Sequence, residues 1–132
     1  MVKNLMDRID KILNHDLFLY HLGRNNAAEA DRRFCRHSMV HFLDVARIGT
    51  IIALEEGLKI DREWIYAAAL LHDCGKHEQY ENGIPHEQAS ARIAPEILKT
   101  CGFNDEETGV IVTAISRHRD PEAAKEKNLN GI

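Results

Sequence analysis

The 132-residue chain is long enough for one domain that buries roughly two-thirds of the surface its unfolded form exposes, and it offers no basis for two. Its net charge of −4 comes from interspersed acids and bases, which excludes a polyanion-binding surface and an acidic tail. The three cysteines, Cys35, Cys74 and Cys101, are widely spaced and form no CxxC pair, which excludes a disulfide framework and a thiolate zinc site and leads us to expect reduced thiols in a cytoplasmic protein.

The first segment carries a charge every few residues, so neither a leader's apolar stretch nor a membrane span is expected there. Leu5, Ile9, Ile12, Leu13 and Leu17 recur at helical spacing and predict a first amphipathic helix, an outer one that carries His15 and His21. A short helical stretch is expected around Ala27 to Phe34. A long helix follows from about Ser38 to Glu56, stopped by Gly57. Asp61 is placed to cap a helix from Arg62 to about Asp73 that contains the apolar run Ala67 to Leu71 and ends at Gly75. Asn82-Gly83 marks a turn and Pro85 starts a helix that ends at Gly102, with a kink expected at Pro95. Asn104 or Asp105 caps the helix after it. No segment alternates with period two long enough for a strand, no repeat or linker divides the chain, and residues 1–132 read as one all-α domain, a bundle of about five to six helices.

Four of the eight histidines fall on the apolar stripes of these helices. His41 shares a face with Val45, Ile48 and Ile52. His72 ends the stripe Ile65, Ala68, Ala69; His86 opens Ala89, Ile93, Ile97; and His118 closes Ile111, Ala114, Ile115. All four are expected to face the core. Asp73 follows an apolar run in the last turn of its helix, where the macrodipole disfavours an anion by about 0.3–1 kcal/mol and burial adds a desolvation cost. A positive partner is therefore required, and a divalent metal shared with the adjacent His72 supplies it economically, with Lys76 one turn on as the rival.

The ordered set His41, then His72-Asp73 within Leu70-Leu71-His72-Asp73-Cys74-Gly75-Lys76, resembles the HD superfamily of metal-dependent phosphohydrolases. His41-Phe42-Leu43-Asp44-Val45-Ala46 resembles the family's first-histidine helix, and the Val45-Ala46 spacing selects His41 over His37, which also precedes a serine. His86-Glu87 with Ser90-Ala91, then His118, is similar to the branch with two further histidines. The likeness covers about residues 35–118.

The resemblance implies a metal set of His41, His72, Asp73, His86 and His118, with Asp73 bridging two ions, His41 and His72 on one and His86 and His118 on the other. Nitrogen and carboxylate donors without thiolate suit iron first, then manganese, cobalt, nickel or zinc, as one or two ions. Asp73 and Lys76 are the candidate catalytic residues. Lys76, Arg117 and Arg119 are the candidate phosphate binders, whereas Arg32, Arg33 and Arg36 read as a solvated basic face. The expected reaction is hydrolysis of a phosphate ester or anhydride of a small molecule, a nucleotide or dinucleotide, by metal-activated water. The same ligand order also fits an HD-like di-iron oxygenase, or a regulatory metal-binding module without turnover.

One departure stands out. The family closes its site with an aspartate on a later helix, after a segment resembling Asn128-Leu129-Asn130-Gly131-Ile132, and this sequence ends there. The expectation is that this ligand is absent or replaced by a water, a partner chain or, weakly, Asp120. The apolar surface that the last helix would cover is then expected to be open, favouring a homo-oligomer. Neither a membrane nor a nucleic acid polymer is expected as a partner.

Overall fold

The computed structural model describes residues 6–28, 39–118, 122–123, 126 and 128–131. Among them the regular structure is entirely helical: α1 (Asp7–Leu13), α2 (Asp16–Ala28), α3 (Met39–Glu55), α4 (Arg62–Leu71), α5 (Lys76–Asn82), α6 (His86–Thr100), α7 (Asp105–Ser116) and one 3-10 turn, Leu129–Gly131. The all-α class expected from the sequence holds. The helix expected within 27–34 lies almost wholly outside the described residues.

The predicted first helix is two helices. The chain turns at Asn14, and the His15 ring restarts it, its Nδ1 accepting the N–H of Leu17 at 3.1 Å. Further on, the expected boundaries hold for definite reasons. Asp61 accepts the N–H of Glu63 and caps α4. Gly57 and Gly102 take positive φ, 70° and 99°, and so release the chain from α3 and α6. Asn104 and Glu107 form a reciprocal capping box at the start of α7. Pro95 lies inside α6, which continues beyond it to Thr100.

The core is the meeting of α4, α6 and α7 with α1, α2 and α3. Phe18, Phe42, Leu70, Leu71, Ile97, Leu98, Ile111 and Ile115 are almost fully excluded from solvent. One end of the bundle is fastened by Arg8. Its Nε bonds Glu63 at 2.9 Å, its Nη1 bonds both carboxylate oxygens of Glu107 at 2.9 Å, and the guanidinium lies 4.1 Å from the Phe103 ring centroid. Trp64 Nε1 donates to Glu107 at 2.7 Å, so α1, α4 and α7 share one charged clamp.

At the other end, the turn between α4 and α5 is pressed against α6. A Cβ on Gly75 would lie 2.7 Å from the backbone of Ala89 and Ser90, and Gly75 N–H donates to Ser90 Oγ at 2.9 Å. The glycine is needed for closeness, its φ of −96° being ordinary. Beside this turn Asn25, buried on α2, donates to the carbonyl of Asp73 at 2.9 Å and accepts the N–H of His77 at 2.8 Å. His21 stands one turn earlier on α2. It is buried, with Nδ1 2.8 Å from His77 Nε2 and the two rings stacked. No helix among the described residues is long and apolar enough to cross a membrane.

Two outcomes follow from these contacts. Gly75→Ala should destabilise the fold by about 1–3 kcal/mol, as overpacking against backbone does, and a downward shift of the urea midpoint measures it. Burial, and next the neighbouring His77, push the His21 pKa down to about 4 from an ordinary 6.5, and burial pushes His77 down as well. A lowered folded-state value means the unfolded chain binds the proton more readily. Stability is thus fully present above about pH 6.5 and is lost as pH falls toward 4. His21→Gln should lose less stability over that interval than the parent chain, as followed by circular dichroism.

Candidate metal centre

Three helix ends and one turn meet around Asp73. His72 occupies the C-terminal cap of α4, His86 is the first residue of α6, and His118 follows the end of α7. The bundle packs α4 and α6 against α7, so these ends come together although the residues are up to 46 positions apart. Asp73 and His86 are buried, while His72 and His118 are half-buried.

The carboxylate divides its oxygens among the rings. Asp73 Oδ2 is 3.2 Å from His72 Nε2, and Oδ1 is 3.5 Å from His86 Nε2 and 3.7 Å from His118 Nε2. His86 Nε2 and His118 Nε2 lie 3.2 Å apart, and one donor atom from each of Asp73, His86 and His118 falls within 4.8 Å of the others.

The second nitrogen of each ring fixes which one carries the proton. His72 Nδ1 is 2.5 Å from the carbonyl of Ala69, and His118 Nδ1 is 2.6 Å from that of Ile115. Carbonyl oxygens only accept, so both rings hold a proton on Nδ1. His86 Nδ1 is 2.7 Å from Gln79 Oε1. In the neutral rings each Nε2 therefore presents a lone pair toward the carboxylate. Lone pairs on His86 and His118 at 3.2 Å, beside a carboxylate oxygen, repel unless a cation stands among them. A divalent ion turns all of these atoms into ligands. A histidine whose other N–H is held by an oxygen is the usual form of a metal-ligating histidine, so the residues present fit the group.

Without an ion, the charges take up the strain unequally. Burial lowers the pKa of His86 and of His118. For His72 burial also opposes the charged form, but the hydrogen bond and charge of Asp73 outweigh it and raise the value. A proton on His72 is the local substitute for a cation. Burial pushes the neighbouring Cys74 thiol up to about 12, so it stays protonated and is no ligand.

Of the histidines expected to face the core, His41 does not: it is exposed on α3. Its ring centroid is 5.9 Å from that of Phe42, which in turn lies 5.8 Å from His72. Helix α3 is apolar on two sides, and the buried one is Phe42, Ala46, Gly49 and Ala53. The stripe on which His41 lies keeps Ile48 57% exposed. His41 thus lies outside the group formed by Asp73, His86 and His118, with the Phe42 ring between it and His72. Lys76, the first residue of α5, stands three positions after Asp73, and its charge disfavours protonation of His72 and His86. Arg117 is engaged in an ion pair with Glu126, so holding a phosphate means exchanging that carboxylate. Arg119, Asp120 and His37 lie outside the described residues.

Beside His72 and His118 a cavity of about 390 Å³ opens between α3, α4 and α7. Ile48, Ile52, Ile65, Ala68 and Leu129 line it together with Arg117. Gln79 and Asn25, which hold His86 and the Asp73 backbone, were missed by the sequence reading. An amide on a polar helix position carries no periodic signal, and their partners lie 7 and 48 residues away.

Comparison with known proteins agrees with this geometry. A family model described as HD domain matches residues 39–131. An uncharacterized protein of Clostridium beijerinckii is 51% identical over 115 residues, spanning 87% of this chain and 73% of the relative. No solved structure gives a significant match. With the family match extending over the histidine–aspartate arrangement just described, the chain belongs to the HD domain family.

Proposed function

We propose that the chain is a metal-dependent phosphohydrolase acting on an ester or anhydride of a small phosphorylated molecule of the nucleotide class. The observation that carries the reading is the convergence of three histidine Nε2 atoms on the buried Asp73 carboxylate. Membership of the HD domain family supports it.

In this reading His72, Asp73, His86 and His118 would hold the ion or ions, with iron the first candidate among the metals that such donors suit, and His41 would join only by moving toward them. Asp73 Oδ2 faces His72 while Oδ1 faces His86 and His118, which supports a role for Asp73 as a ligand shared between two sites. A bound divalent ion supplies a water with a pKa of about 7 and a Lewis acid for the phosphoryl oxygens. The protein's own residues do the remaining work. Asp73 would be the buried anion about which the centre is organised. Lys76, three positions after Asp73, would neutralise a phosphoryl oxygen as negative charge grows. The apolar cavity takes the organic part of the substrate, and its walls exclude water from the side of His72 and His118. Arg117 at that cavity binds a second phosphate by giving up Glu126.

The test is elemental mass spectrometry on untagged protein, followed by phosphate release from a nucleotide panel. The parent chain should carry metal and release phosphate. His72→Ala and Asp73→Ala should each abolish metal retention, whereas His15→Ala, whose ring bonds Thr100 and Leu17, should leave it intact. Metal without phosphate release but with oxygen consumption would turn the reading to an oxygenase. No metal before or after reconstitution would overturn it.

A further inference from the structure

His86 differs from the other rings of the centre in what fixes it. His72 and His118 each use the carbonyl three residues back, at the end of their own helices. His86 is the first residue of α6, and the residues before it, Gly83, Ile84 and Pro85, are not helical. No carbonyl of its own helix lies behind the ring, so the acceptor has to come from another element.

Gln79 provides it from α5. Its Oε1 lies 2.7 Å from His86 Nδ1 and at the same time accepts the backbone N–H of His86 at 3.0 Å. The second bond settles the first. A backbone N–H can only donate, so the amide atom facing it is the oxygen, and an oxygen facing Nδ1 requires the proton to be on Nδ1. The next acceptor, Glu87 Oε2, is 3.7 Å from Nδ1, too far for a hydrogen bond. One side chain thus determines both where the first residue of α6 sits and which of its ring nitrogens offers a lone pair.

We propose that Gln79 is a positioning residue that holds His86 as the Nδ1–H tautomer with Nε2 aimed at Asp73, and thereby sets the affinity of the centre for its ion. The affinity half of this rests on the reading of the site as a metal centre. Gln79 is itself exposed, so its replacement leaves the core untouched.

The experiment uses the full chain with Gln79→Leu and Gln79→Glu, each also with Glu87→Gln so that the neighbouring carboxylate does not take over. Long-range proton–nitrogen spectra of the imidazoles, taken on metal-free protein above the titration range of histidine, report the tautomer. The parent chain and Gln79→Glu should show His86 protonated on Nδ1, and Gln79→Leu should move the proton to Nε2 or to a mixture. Cobalt(II) titration against a chelator should show affinity reduced about 10–100-fold in Gln79→Leu and kept in Gln79→Glu. An unchanged His86 tautomer in Gln79→Leu, or unchanged cobalt affinity, would overturn the proposal. A parent chain that takes up no cobalt would defeat the metal reading and the affinity half with it, while the tautomer spectrum would still decide whether Gln79 holds the ring.

Discussion

Everything at this end of the bundle is arranged around one constraint: a carboxylate that is only 4% exposed and sits where a helix ends. The C-terminal end of α4 contributes negative potential of its own, so Asp73 meets both a desolvation cost and an unfavourable dipole. A proton on His72 offsets part of this, whereas the imidazoles of His86 and His118, from two further elements, hold their lone pairs inward and add to the repulsion. Such an arrangement is poor as a packed core. It becomes favourable when a cation is part of it, which is why the geometry and the family point the same way.

A centre of this kind is only as precise as what holds its ligands. The turn after Asp73 is set by three contacts from different helices: Asn25 on its carbonyl, Ser90 on the N–H of Gly75, and the direct approach of α6 to Gly75. Short as it is, α5 links the two halves, because Asn25 holds its beginning through His77 while Gln79 at its middle holds His86. The far end of the bundle is fastened separately by Arg8, Glu63 and Glu107.

The sequence made the frame legible where local rules decide the outcome. Asp61, Gly57 and Gly102 act through neighbours a few residues away and performed as their types predict, and of the two caps offered, Asn104 or Asp105, it is Asn104 that caps α7. His72, His86 and His118 were legible because each sits on a single well-defined apolar stripe. His41 was misplaced because α3 is apolar on more than one side, and periodicity does not tell which side a bundle covers. Its match to the family's first histidine came from spacing to Val45-Ala46, a signal that carries no information on burial. His21, Asn25 and Gln79 were illegible for another reason. Their roles depend on the contact of α2 and α5 with the site, which is a property of the assembled bundle and of no segment alone.

The distances along the chain between these groups also order events in time. Asp73 and His118 are 45 positions apart, and the rings meet only once α4, α6 and α7 have docked. Closing loops of that length comes after local helix formation, when apolar contacts such as Leu70, Ile97 and Ile111 have begun to compensate the lost chain entropy. An ion bound at this centre would therefore be captured late, on a scaffold already assembled, unlike a small zinc-nucleated domain in which the metal drives folding. Such a design would let an ion leave and another enter without passage through the unfolded state.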